Sequence, residues 1–190
     1  MNKYSKIDYA LNAGTSNQQI TDIFLYDTVT GANYMTFFKD AQIRINPYTN
    51  CNEFGNKLPA GYIFECKRLA LAVVTITNNK ITTVKPVFNS AMFSIFSNAE
   101  LEFKISNNKI IKRMPLLQLF PQNNPYVNWT INNTNNASGA PFVLEIPFVI
   151  PPLVEFEANI IFPPGVVVGN FLLRLTLEGQ GTIFNTGQPL

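Results

Sequence analysis

The hexapeptide Glu100-Leu101-Glu102-Phe103-Lys104-Ile105 puts charged residues at even positions and apolar ones at odd positions. Successive side chains of an extended strand point to opposite faces, so such a run buries one face and wets the other. The same period returns in Leu144, Ile146, Phe148 and Ile150, and in Phe156, Ala158, Ile160 and Phe162. It returns again in Leu173, Leu175 and Leu177, interleaved with Arg174, Thr176 and Glu178. No long stretch carries the period of an amphipathic helix. A chain patterned this way must pair its strands into sheets, then lay sheets face to face or close them into a barrel.

Punctuation between the strands agrees. Ile20 to Tyr26 reads as a first strand and Thr28-Val29-Thr30-Gly31 as a turn, with Tyr34 to Phe38 and Ala41 to Ile45 as a bent second strand. A turn-rich stretch from Tyr48 leads into the apolar run Tyr62 to Thr77, and Asn78-Asn79 before Ile81 to Val87 is a hairpin signal. Asn is abundant, at 24 residues, and many are paired, as at Asn107-Asn108. Asn tolerates positive φ and bonds its own backbone, so these pairs mark turns. Ile110 to Leu119 follows, then a polar loop at 121–141, and Pro163-Pro164-Gly165 ends the strand that begins at Phe156. Eight to ten strands are expected, in one β-sandwich domain over 20–179, with a polar arm at 1–19 and a tail at 180–190.

The chemical inventory argues against an enzyme. Histidine is absent, which removes the commonest general base and metal ligand. Cys51 and Cys66 alone make half of a usual zinc site, and they read as a loop thiol and a buried strand thiol. The pairs Glu100 with Glu102 and Glu155 with Glu157 have the spacing of residues sharing one strand face. They read as the wet or subunit-facing side of alternating strands rather than as a glycosidase dyad or calcium site. No catalytic, metal or cofactor-binding residue is assigned. Lys109, Lys112 and Arg113 form a small basic group, but a net charge of +2 gives no strong nucleic-acid site. Trp129, with Tyr126 nearby, is the one candidate exposed aromatic pair, in a loop that also carries the sequons beginning at Asn128, Asn132 and Asn136. No apolar run suits a membrane span or signal peptide, which suggests synthesis in a reducing cytoplasm. Only 14% of residues are charged, against about a quarter in typical domains, which suits a surface covered by neighbours.

Thr49-Asn50-Cys51, a turn containing Gly55, and Lys57-Leu58-Pro59 run into a long apolar strand. Leu101 to Ile105 is followed by a polar turn, Met114-Pro115-Leu116-Leu117 and Phe120-Pro121. Pro147 to Pro151 and Leu173 to Gly179 close the series. In this order, over about residues 40–180, the pieces resemble the jelly-roll capsid proteins of bacteriophages. The resemblance implies an eight-stranded jelly roll of two facing sheets that works by assembly. It implies a structural virion protein, made in the host cytoplasm, that forms or caps an icosahedral capsid as a lattice protein or a pentameric vertex protein. Its partners would be copies of itself, as trimers or pentamers, and other capsid or spike proteins, with room for a membrane beneath the shell. Neighbouring subunits would then order the arm and the tail. The other expectation is a receptor- or glycan-binding β-sandwich of a viral spike, using Trp129 and the 121–141 loop.

Overall fold

The computed structural model describes residues 18–32, 34–86, 95–96, 98–106, 109–119, 141–166 and 171–184. Residues 1–17 of the expected arm, 185–190 of the tail, the loop at 121–140 with Tyr126 and Trp129, and Phe120 lie outside them. The described residues hold nine strands: β1 (Gln18–Thr30), β2 (Tyr34–Phe37), β3 (Tyr62–Thr77), β4 (Lys80–Pro86), β5 (Glu100–Ile105), β6 (Lys109–Pro115), β7 (Phe142–Ile150), β8 (Phe156–Ile161) and β9 (Leu172–Phe184). Single 3-10 turns lie at Ala41–Ile43 and Leu116–Leu119. The fold is all-β, in two antiparallel sheets. One runs β1-β9-β3, with β7 and β4 sharing the far edge of β3, and the other runs β2-β8-β5-β6.

The pairing is nested. β1 pairs with β9, β2 with β8, β3 with β7, and β5 with β6. β4 stands outside this nest. It forms a hairpin with the outer half of β3, and its turn residues Asn78 and Asn79 have φ of 51° and 56°. Two successive left-handed residues give the primed turn whose twist matches the strands, and Asn accepts that geometry.

The core lies between the sheets. Leu173, Leu175 and Leu177 of β9 are fully buried, as their alternation requires. On β3 the inward set changes parity, from Phe64 and Cys66 to Leu69, because a bulge at Lys67 adds one residue against β9. Phe103 of β5 meets Phe148 of β7 with ring centroids 4.7 Å apart, and Phe38 meets Phe156 at 5.3 Å. The first contact places β7 over β5. β6 and β7 therefore lie on one side of the sandwich, while β1 and β2 adjoin on the other.

Several boundaries differ from the sequence reading, and β1 already takes Gln18 and Gln19 from the expected arm. Thr28 to Thr30 belong to β1, where they pair with Leu172 to Arg174. Ala41 to Ile43 form a 3-10 turn instead of a strand, after the chain turns at Phe38. Pro115 ends β6, and Leu116 to Leu119 coil into the second 3-10 turn. β9 runs through Gly179 and Gly181 into the expected tail, because those glycines are sites of close approach. A Cβ on Gly179 would lie 1.9 Å from the Glu65 carbonyl oxygen, and one on Gly181 would lie 1.9 Å from Cδ1 of Ile23.

Candidate interaction surface

The Thr49-Asn50-Cys51 stretch caps an edge strand. β1 has β9 on one side only, so its other edge offers unpaired backbone groups. The Asn50 side chain answers them as a surrogate peptide. Its Oδ1 accepts from the Tyr26 N–H at 2.8 Å, and its Nδ2 donates to the Phe24 carbonyl at 2.5 Å. The Thr49 hydroxyl donates to the Tyr26 carbonyl at 2.9 Å and accepts from the Cys51 N–H at 3.1 Å. Farther along, the segment holds the β7–β8 connection. The Leu153 N–H donates to the Leu58 carbonyl, and the Phe156 N–H to the Asn56 carbonyl, each at 2.9 Å.

Two cations fasten the β2–β3 connection, which carries this segment, to β1. Asp27 sits at an inward position of β1 and is fully buried. Its carboxylate accepts from the Arg44 Nε at 3.0 Å, from the Arg44 Nη2 at 2.5 Å and from the Phe38 N–H at 2.6 Å. Burial pushes the Asp27 carboxyl above its ordinary value, against the pull of Arg44 and of the backbone donors. Phe38 has φ of 70°, which is strained for a residue with a bulky side chain. The bond to Asp27 holds it there, with its ring in the core. On the opposite face of β1, Arg174 donates to the Thr28 hydroxyl and the Pro47 carbonyl, and stacks 4.4 Å from the Tyr26 ring centre.

Both cysteines are free and buried. Cys51 is a loop thiol, as expected, and its side chain is packed into the core. Burial pushes its thiol up to about 12 and raises that of Cys66 as well, so neither is a thiolate at neutral pH. The acidic pairs separate differently from their spacing. Glu155 pairs with Lys57 at 3.1 Å, before β8 begins, while Glu157 approaches Lys104 at 4.0 Å and accepts from Asn159 at 2.9 Å. Arg113 bridges Glu100 at 2.5 Å and Glu102 at 3.2 Å, and Lys104 meets Glu102 at 3.5 Å. The outer face of the β2-β8-β5-β6 sheet is therefore a neutralised polar ladder, and Arg113 is committed to it. Among the described residues, no group of three or more acidic or cysteine side chains is placed to hold a metal ion, and no helix is long and apolar enough to cross a membrane.

Exposed apolar side chains are distributed otherwise. The large ones are Ile20 and Phe24 on β1, Tyr34 on β2, Ile43 and Ile45 after β2, Ile81 on β4, Ile110 on β6, Val143 and Ile146 on β7, and Leu153 after β7. Among the described residues, every one lies on an edge strand or a connection, and none lies on β3, β5, β8 or residues 172–182 of β9. On one side of the sandwich, Val29, Ile43, Ile45, Tyr48, Asn79 and Leu172 line an open groove of about 410 Å³. On the other, Val143 is 63% exposed and Ile146 71%. The alternation that put Ile146 in the core with Leu144, Phe148 and Ile150 fails at that residue alone. Between Val143 and Phe148, β7 advances only from Arg68 to Cys66 along β3, so the intervening residues bulge outward.

The chain matches no protein-family model, no curated protein and no solved structure.

Proposed function

We propose that the chain is a structural virion protein, a jelly roll that associates edge to edge with copies of itself to form or cap an icosahedral shell. The nested strand pairing carries this reading. With β4 set aside, eight strands pair first with last, second with seventh, third with sixth and fourth with fifth. That is an antiparallel ribbon rolled into two four-stranded sheets, the pattern of a jelly roll. β4 is then a local extension of the third strand. The apolar edges support the functional half of the reading. The central strand faces carry ion pairs, while the rims carry exposed Ile, Val, Phe and Tyr, and contiguous exposed apolar surface marks sites of association. Light scattering of the purified protein, with negative-stain images of the same fractions, tests the proposal. Rings, trimers, pentamers or shells are the expected result, and a monomer at every concentration overturns it.

A further inference from the structure

The β6 and β7 edges together form one lateral side, and its charges are complementary within that side. β7 presents Glu145 between the exposed Val143 and Ile146. β6 presents Lys109 and Lys112 around the exposed Ile110. Neither Glu145 nor Lys112 has an ion-pair partner among the described residues. Their levels along the strands are close. Lys112 is the β-partner of Phe103, whose ring packs on that of Phe148. Because β7 bulges, Glu145 lies within the two-residue span of β3 that separates Phe148 from Val143, about 7 Å at the usual rise.

We infer that a second copy of this chain docks on the β6/β7 side about a two-fold axis parallel to the strands. Such an axis keeps each residue at its own level and exchanges the sheets. β7 of one copy then faces β6 of the other, twice, with Glu145 opposite Lys112 and with Ile146 and Val143 beside Ile110. An axis perpendicular to the sheets would instead set Glu145 against Glu145 and lysine against lysine, which like-charge repulsion opposes. A two-fold contact requires one self-complementary patch, and this side has it.

This inference rests on the self-association proposed above, and charge reversal separates the two. The experiment is sedimentation velocity of the full chain across concentration at low and high salt, with thermal melting to check each fold. The wild type should form even-order species that weaken with salt. Glu145→Lys or Lys112→Glu alone should weaken association about tenfold, and the double reversal should restore it to within about threefold. Lys112 is half-buried, so if Lys112→Glu does not fold, a Glu145→Gln and Lys112→Gln cycle reads the same coupling as a non-additive loss. Association that ignores the reversals, a double reversal without rescue, or rings of odd order only would each overturn this contact and leave self-association standing. A wild type that stays monomeric overturns both.

Discussion

Asp27 occupies an inward place in the series Ile23, Leu25, Asp27, Val29, where a strand facing a core should be apolar. The sequence reading ended this strand at Tyr26 and so left Asp27 at a turn, and its partner Arg44, seventeen residues away, was not legible either. Removing the carboxylate by Asp27→Ala leaves a partly buried guanidinium and the Phe38 N–H unanswered, so urea unfolding should register a loss of about 3 kcal/mol. The pH dependence runs in the less familiar direction. The folded carboxyl binds its proton more tightly than the unfolded one, so its contribution is greatest below the ordinary value of 3.8. It declines as pH rises from there through the raised value, then levels off. The unfolding free energy of the wild type minus that of Asp27→Asn should fall across that range. A difference that instead climbs with pH would mean that the attraction of Arg44 outweighs burial. Asn50 is the second residue whose role a sequence cannot announce, because an Asn beside a turn looks like any other. Asn50→Ala should lose about 1–2 kcal/mol in the same assay, from the two backbone groups of β1 it leaves unpaired.

Alternation identifies a strand and divides its faces, which is why β5 was legible to the residue as Glu100–Ile105, while β3 was legible as the apolar run Tyr62–Thr77. It misleads where a strand bulges. At Lys67 the parity of β3 changes, and at Ile146 an apolar residue in the expected phase is turned outward. Glycine misleads in the other direction. Gly179-Gln180-Gly181 reads as the end of a strand, yet β9 continues because the missing side chains admit the Glu65 carbonyl and the Ile23 side chain. Gly179→Ala should therefore destabilise the protein by about 3 kcal/mol or more, since its clash is with backbone that the bulge already constrains. Gly181→Ala meets the movable end of Ile23 and should lose less, and thermal melting of the two variants orders them. The β3–β4 hairpin offers a gain. Both turn residues are left-handed, so Asn79→Gly should raise the unfolding free energy slightly, by a few tenths of a kcal/mol in urea unfolding.

Sequence pattern does not say which strand lies beside which, and this is the level at which the fold was least legible. Period-two runs specify faces, whereas neighbours follow from how the whole ribbon closes. The nest makes the first strand wait for the last, and contacts between residues far apart in the chain dominate. Folding should be slow for a chain of this size, in the millisecond-to-second range or longer, by stopped-flow fluorescence of Tyr and Trp. Deleting the residues from Gly179 onward removes half of β9, including the partners of Tyr62 to Cys66, and the product should lack the cooperative transition of the full chain. The position of β9 has a further consequence. It lies between β1 and β3, so a nascent or clipped copy without it has a central gap rather than a frayed border. Such a copy leaves the rim strand β1 without its paired neighbour. In the self-association proposed above, copies that lack β9 would then be excluded by shape alone, and the strand that completes the fold is the last one made.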